Sequence, residues 1–481
     1  MKNGTSIQVP FKNLNTSNFN KFRIIPCSDE ANNNVFSQFS SILGGQGNTV
    51  IGINATCLGG VNNFSGGENS TTQGNGTRAT GASSHTEGNL TTALSSNTHA
   101  EGIGTIAFAT AAHAEGSTTS AFGQLSHAEG SGVLAFGGIS HAEGLVTSAT
   151  GTVSHAEGNN TTAFGTGSHA EGALTSASGE AAHSEGISTT ASGTGSHAEG
   201  ALTSASGEAA HSEGEFTTAS GGQSHSEGSS TTASGSVSHA EGSSTIADEF
   251  SAHAEGRTTI SSGVASHSEG ISTTALVFAS HAEGQTTISS GVASHSEGIS
   301  TTASGEASHA EGTSTTAFGT SSHAGGNLAE AAHDRSYVIS GGSTTVSSLL
   351  IESYTAKYPG GFRVFTADDE STGATMAAGQ GSWTAISLRS VKDVIEEYVD
   401  GDEILDMISE WQISKWKYIT DKSNSAHISP FSDEFRELEL GADPDGIQML
   451  DLAGVLYACV QSLHNTNKKL IKDVEALKMN L

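Results

Sequence analysis

A histidine recurs every fourteen residues along the middle of this chain, from His85 to His323, without a single slip in the spacing. Each of these eighteen histidines is followed by Ala, Ser or Thr, and then by Glu in every case except one, where Gly325 stands instead. Gly always follows three places after the histidine, and 165–186 is repeated letter for letter at 193–214. Repetition at a short fixed period predicts a solenoid, in which each unit contacts only its neighbours.

Fourteen residues are too few for a pair of helices, but they suffice for two strands of about five residues and two tight turns. Both SHAEG and TTASG alternate with a period of two, and Gly supplies turn dihedrals. The chain contains no proline between Pro26 and Pro359, as expected where every coil donates backbone hydrogen bonds to the next. We therefore predict a mainly β fold built as a parallel β-solenoid.

The alternation of side chains along a strand assigns residues to the inside or the outside of the coil. His and Glu share one face of the first strand, and the small residue between them takes the other face. That small residue and the Ala seven places later form the predicted interior. Five phenylalanines share one position next to this inner Ala and are expected to point outward as an apolar stripe: Phe108, Phe122, Phe136, Phe164 and Phe318.

The repeat continues upstream in degraded form, as ILGG at 42–45, CLGG at 57–60 and STTQG at 70–74. About 21 coils result, and at about 4.8 Å per coil they would give a rod of roughly 100 Å. We divide the chain into an N-terminal attachment segment at 1–39, the solenoid at 40–330 and a β-rich capping region at 331–386. A C-terminal domain follows at 387–481.

Composition and charge exclude several classes of protein. The formal net charge of −31 disfavours binding to nucleic acid and to anionic membranes, since both require clustered Lys and Arg. No segment has the length and hydropathy of a membrane span, and the first residues carry no secretory signal. The three scattered cysteines indicate neither a disulfide framework nor a zinc site.

The fourteen-residue pattern S-x-A-x-G followed by x-A-x-G resembles the head repeats of trimeric autotransporter adhesins and the repeats of phage and large-virus fibres. The resemblance covers about 60% of the chain and implies a left-handed parallel β-roll, three copies of which pack side by side. Where those heads usually place aliphatic residues in the motif, this chain has His and Glu.

Stacked coils turn the histidines and glutamates into two parallel ladders, for which three interpretations are open. The first is a polar seam that sets the register by hydrogen bonding across strands and between chains. The second is a pH-responsive seam in which the histidine pKa values are raised by the carboxylates. The third is metal binding by His and Glu at i and i+2, but no closed tetrahedral set is visible, and we predict no metal site and no cofactor.

The last segment carries apolar residues at heptad spacing: Val460, Leu463, Asn467, Leu470, Val474, Leu477 and Leu481. This pattern predicts a coiled-coil helix whose polar Asn467 fixes the register, and it suits dimers as well as trimers. A helix packed against its own domain is the alternative.

The C-terminal region from about Gly360 resembles the intramolecular chaperone, auto-processing domain of phage tail spikes and fibres. The matching elements are GGFRVFTADDESTGATMAAGQGSW, SLRSVK, VDGDEIL, ISKWKY, AHISPF and DLAGVLYACVQSL. In that family a Ser and a Lys five residues on form a dyad, and the domain assembles three chains before cutting the bond in front of its own Ser. The resemblance implies Ser387 as nucleophile, Lys392 as general base and Ile386–Ser387 as the cleaved bond.

Two features weigh on this assignment. Ser387 can instead cap a helix while Lys392 is a solvated charge. The family's usual Asp after the Ser is Leu388 here, and AHISPF carries only part of the usual pattern. Folding assistance can therefore survive while cleavage is slow or lost.

We expect a homotrimeric viral fibre or tail-spike-like protein, attached to a virion or tail component by its N-terminus and binding a host surface receptor, a glycan being one candidate. It would assemble in the host cytoplasm and be exposed on the virion. The alternatives are a trimeric adhesin on a bacterial surface and a fibre-borne enzyme that degrades glycans. The only activity predicted is a single self-cleavage by the Ser–Lys dyad, with no external substrate.

Overall fold

The computed structural model describes residues 32–386, 389–395, 399–421, 425–440 and 445–479. Two compact units divide the chain, the first ending at Gly360 and the second beginning at Gly361. The first unit contains a parallel β-solenoid of 23 coils, which confirms the predicted fold class. Handedness and a trimeric state remain predictions.

One side of every coil is a longer strand, five residues in most coils, that pairs in parallel with the equivalent strand of the next coil. The strands of this long-strand sheet are Ser41–Ile42, Thr56–Val61, Thr71–Asn75, His85–Asn89, His99–Ile103, His113–Ser117, His127–Ser131, His141–Leu145, His155–Asn159, His169–Ala173, His183–Ile187, His197–Ala201, His211–Glu215, His225–Ser229, His239–Ser243, His253–Arg257, His267–Ile271, His281–Gln285, His295–Ile299, His309–Thr313, His323–Gly326, Tyr337–Ser340 and Tyr354–Lys357.

The other side of the coil is shorter than predicted, because most of its strands have two residues instead of about five. The strands of this short-strand sheet are Asn34–Val35, Thr49–Val50, Phe64–Ser65, Arg78–Ala79, Thr92–Ala93, Ile106–Ala107, Ser120–Ala121, Leu134–Ala135, Ser148–Ala149, Thr162–Ala163, Ser176–Ala177, Thr190–Ala191, Ser204–Ala205, Thr218–Ala219, Thr232–Ala233, Ile246–Ala247, Ile260–Ser261, Thr274–Ala275, Ile288–Ser289, Thr302–Ala303, Thr316–Ala317, Ala329–Ala331 and Val346–Ser347.

Left-handed backbone conformations on both flanks explain why the second strand is short. Residues five and twelve places after each histidine have φ near +57°, and they are often not glycine: Val146 and Ile139, for example, have φ of 56° and 59°. Such residues end extended structure on either side of the short strand. The turns therefore use side-chain-bearing residues as well as the predicted glycines.

The stack extends beyond the predicted limits. Asn34 pairs with Thr49 at its start, and Tyr337 pairs with Tyr354 near its end, so the strand pairing continues across residue 330 and the coils number 23, against the 21 expected. The coil length rises to fifteen residues between Ser41 and Thr56 and to seventeen between Tyr337 and Tyr354.

The interior is a column of small side chains, as predicted. The residue after each histidine and the Ala seven places later are fully buried, for example Ala198 and Ala205 at 0% exposure. Ser and Thr are buried beside them: Ser196 Oγ donates to Gly193 O at 2.7 Å, and the Oγ atoms of Ser184 and Thr189 are 2.8 Å apart. Where Ala replaces that Ser, as at Ala198, the Thr203 hydroxyl has no hydrogen-bond partner. The core is therefore tightly packed but partly polar.

In the residues that the structure describes, the second unit has two small antiparallel sheets and three α-helices. Its strands are Gly361–Phe365, Gly373–Ala377 and Thr384–Ala385 in one sheet, and Ser414–Trp416 and His427–Ser429 in the other. The helices are α1 (Gly401–Ser409), α2 (Ser432–Phe435) and α3 (Met449–Met479), with 3-10 turns at Arg389–Val391 and Arg436–Leu438.

Candidate functional site

The residue before the predicted cleavage site is fixed by a β-sheet. Ile386 directly follows the edge strand Thr384–Ala385, and its N–H donates to Gly373 O at 3.0 Å. Ser387 and Leu388 lie outside the described residues, so the distance from the Ser387 hydroxyl to Lys392 is not defined.

Lys392 follows the 3-10 turn Arg389–Val391 and is exposed. The backbone N–H of Lys392 donates to Arg389 O at 3.3 Å. A general-base lysine requires burial to lower its pKa, and the single chain does not bury this side chain. The dyad therefore stays a prediction.

The core of the second unit lies between α1 and the first half of α3. Val455 and Cys459 of α3 are buried with Phe435, and partly buried residues of α1 such as Ile404 and Ile408 pack against them. Burial raises the pKa of the Cys459 thiol above its usual value. Ser462 of α3 donates a hydrogen bond to Asp402 of α1, which ties the two helices together.

The second half of α3 leaves this core, and its heptad residues face solvent. Exposure reaches 54% at Leu470, 47% at Val474 and 64% at Leu477, and the heptad residue Val460 in the first half is also exposed, at 63%. The first half of α3 therefore packs on its own domain, while the second half presents an uncovered apolar seam, for which a coiled coil stays a prediction.

The histidines form one continuous stack along the long-strand sheet. The ring centroids of successive histidines are 4.6–4.9 Å apart from His85 to His323, and most ring pairs are parallel. The exceptions are the two ends, where His85–His99 and His309–His323 cross at 71° and 82°. Tyr337 extends the stack, with its ring 4.3 Å from that of His323. We call the histidines and the glutamates two places after them the His–Glu ladder.

The glutamates lie beside the imidazoles but do not form short hydrogen bonds with most of them. In twelve coils the Nε2 atom is 3.5–4.0 Å from the carboxylate of the same coil, as between His183 and Glu185 at 3.8 Å. The last two pairs reach across coils, and His323 Nε2 is 3.3 Å from Glu311 Oε1. A Cβ atom at Gly325 would lie 3.0 Å from that oxygen, so the one missing glutamate leaves room for Glu311.

The stacking sets the direction of the histidine pKa shifts. For ten of them, including His197 and His267, the pKa is lowered from the ordinary value of 6.5, first by desolvation and second by neighbouring histidines, against the opposing effect of the glutamates. A seam with raised histidine pKa values was one of the three interpretations, and for the single chain it is wrong. Desolvation and repulsion between imidazolium ions outweigh attraction to half-exposed carboxylates.

The outer surface of the solenoid carries many apolar side chains. Phe108, Phe136, Phe164 and Phe318 are exposed by 49–59%, which confirms that their shared position points outward. Phe122 bridges its neighbours Phe108 and Phe136, with ring centroids 5.6 and 5.8 Å away. Leucines and valines at the left-handed turn positions, such as Leu174 and Val146, are also exposed.

Within the described residues, no helix combines the length and hydropathy needed to cross a membrane. In comparisons with known proteins, the chain matches no family model and is similar to no curated protein.

Proposed function

We propose that this chain is one subunit of a homotrimeric viral fibre, in which the solenoid is the shaft and residues 387–481 drive assembly. The uncovered heptad seam in the second half of α3 is the observation that carries this proposal. Residues 1–39 would attach the fibre to the particle, and a host surface receptor would be its binding partner.

A helix of 31 residues is about 46 Å long, and only its first half has a domain to pack against. An isolated helical segment of the remaining length is marginally stable in water, and the exposed heptad residues Leu470, Val474 and Leu477 form an apolar stripe that favours association. Two further copies of this chain would cover the seam with the same residues, because the heptad is self-complementary.

A dedicated assembly domain suits the shaft. Each coil pairs only with its neighbours, so the ends of a partly folded stack expose unpaired strand edges that can join other chains wrongly. Association through α3 would hold three chains in parallel and in register before the coils form. Exposed phenylalanines such as Phe136 would then be covered by neighbouring shafts.

Self-cleavage is the second part of the proposal. Ser387 Oγ would attack the carbonyl carbon of Ile386, the C–N bond would break, and Lys392 would take the hydroxyl proton and pass it to the released amine. Water would then hydrolyse the resulting ester and leave a free carboxylate on Ile386. Because Lys392 is exposed in the single chain, we expect cutting to follow trimer assembly.

The test compares Leu470→Asp/Leu477→Asp with the control Lys472→Asp. Both leucines are exposed in the single chain, so the double substitution should leave the subunit fold intact. All chains carry Ser387→Ala, which keeps them uncut, so light scattering should give three times the 48.6 kDa chain for the Ser387→Ala parent and the control, and a single chain for the double variant. A trimer formed equally well by the double variant, or by a chain truncated before Ser387, would refute the assembly role.

A further inference from the structure

The Nε2 atoms of the His–Glu ladder are buried polar atoms without hydrogen-bond partners. This holds for every histidine of the ladder except His85. The neighbouring carboxylates are mostly 3.5 Å away or more, which is too long for a good hydrogen bond. An unpaired buried polar atom costs about 1–3 kcal/mol, and here the same arrangement is repeated in coil after coil.

Several stretches of the ladder bring three potential metal ligands together. In His183, Glu185 and His197, one ligand atom from each residue lies within 4.8 Å of the others, and His197, Glu199 and His211 repeat the arrangement in the next coil. Each group offers two imidazole nitrogens and one carboxylate oxygen. This donor set, completed by water, is typical of zinc sites with three protein ligands.

We propose that the His–Glu ladder binds divalent transition-metal ions, Zn²⁺ in particular, each ion held by two successive imidazoles and the carboxylate between them. Imidazole nitrogen favours Zn²⁺, Ni²⁺ and Cu²⁺ over Mg²⁺ and Ca²⁺. This proposal does not depend on the fibre function.

The geometry also limits how many ions can bind. Parallel rings 4.8 Å apart direct their lone pairs along parallel planes, so two of them cannot bind one ion until the rings tilt towards each other. Such tilting is compatible with the coil, because His85–His99 and His309–His323 already cross at 71° and 82°. A ring that tilts towards one neighbour turns away from the other, so each Nε2 serves one ion. Eighteen histidines at two per ion allow at most nine ions per chain.

The experiment is a calorimetric titration of the chelator-treated full-length protein with Zn²⁺ at pH 7.5. One variant replaces the six ladder histidines from His169 to His239 by Gln, which removes three pairs. A second variant replaces the six ladder glutamates of the same coils by Gln and leaves the imidazole stack in place. The control is Glu180→Gln/Glu208→Gln, which removes exposed carboxylates that lie on the same part of the solenoid but outside the ladder.

We expect wild type and control to bind the same number of ions, not more than nine. The histidine variant should bind three fewer, and the glutamate variant should bind at those three sites at least about tenfold more weakly, because each site loses a direct ligand and not only an outer hydrogen-bond partner. Co²⁺ in place of Zn²⁺ should give the visible absorption of a four-coordinate site with nitrogen and oxygen ligands. Equal Zn²⁺ uptake by wild type and the glutamate variant would overturn the proposal, as would no uptake at micromolar Zn²⁺. The glutamate variant decides the matter even if the histidine variant fails to fold.

Discussion

The glycine three places after each histidine combines a positive φ with a close approach to the next coil, so the coil has no room for a side chain there. Gly200 has φ of +110°, and a Cβ atom there would lie 2.1 Å from Gly214 O in the next coil. Gly195, five residues earlier in the chain, has φ of +63° and no atom within 4 Å of the added Cβ. The equivalent positions in adjacent coils are alanines, with φ of 54° at Ala181 and 52° at Ala209. Gly200→Ala and Gly195→Ala are thus the same chemical change in two different environments.

The two substitutions should differ strongly in free energy. At Gly200 the backbone conformation costs about 1–3 kcal/mol for a residue with a Cβ. Displacing the Gly214 carbonyl from its strand pairing adds about 1 kcal/mol, since this carbonyl is only partly buried. At Gly195 a left-handed alanine costs about 1–2 kcal/mol, which is partly offset by about 0.4–1 kcal/mol from the restricted unfolded chain. We expect a loss of about 2–4 kcal/mol for Gly200→Ala and of about 0–1.6 kcal/mol for Gly195→Ala.

Amide hydrogen exchange measures this difference locally, because a solenoid opens in neighbouring coils without global unfolding. In strands His197–Ala201 and His211–Glu215, exchange should become about 30- to 700-fold faster in Gly200→Ala and at most about 15-fold faster in Gly195→Ala. Equal acceleration in the two variants would show that the close approach of neighbouring glycines does not limit the coil, and the reasoning would fail.

Further predictions concern the polar core, pH and self-cleavage. Ser184→Ala should destabilise its coil by about 1 kcal/mol, because the Thr189 hydroxyl loses its hydrogen-bond partner. Ala198→Ser should stabilise its coil by a similar amount, because the unpaired Thr203 hydroxyl gains one. Chemical denaturation of both variants checks the two signs. The folded pKa values of histidines such as His197 and His267 lie below the ordinary 6.5, so the unfolded chain binds more protons than the folded chain as the pH falls through this value. The free energy of unfolding should therefore be highest above pH 6.5 and decline below it. A melting temperature in metal-free buffer that rises from pH 8 to pH 5 would contradict this. Wild type should yield a 95-residue C-terminal product by intact mass, whereas Ser387→Ala and Lys392→Ala should leave one uncut chain that still assembles; persistence of full-length wild-type chain after long incubation would remove the dyad assignment.

The repeat predicted those features of the coil that depend on strand alternation alone. The burial of Ala198 and Ala205 and the outward direction of Phe136 follow from which face of a strand each residue occupies. The short second strand could not be predicted in this way, because Val146 and Ile139 ordinarily avoid the left-handed conformation that they adopt here. That conformation is imposed by closing a coil in fourteen residues.

The histidine pKa values and the buried hydroxyl pairs were harder to predict than the burial pattern. The direction of a pKa shift depends on whether desolvation or attraction to the carboxylates is larger. The ladder places each imidazole beside a carboxylate, which suggests a raised pKa, but the rings also cover one another and the desolvation dominates. The hydrogen bond between Ser184 and Thr189 crosses the interior between the two sides of a coil, and its signal in the sequence is the alternation of SHAEG and SHSEG. Ser387 and Lys392 were assigned by resemblance, and their relative geometry stays untested.

The in-register pairing of equivalent residues has a consequence for how the length of this protein can change. Every ladder histidine between the ends stacks on the histidines of both adjacent coils. At other positions too, the strand register often pairs identical residues, for example Glu199 with Glu213 and Gly200 with Gly214. Excision of residues 187–214 would join Gly186 directly to residue 215, remove two whole coils, and leave each remaining side chain with neighbours of the same kind. Unequal recombination between identical segments 28 residues apart, such as 165–186 and 193–214, would therefore produce in-frame chains about 10 Å shorter or longer that still fold. This architecture thus makes length a heritable trait that can vary independently of the rest of the molecule.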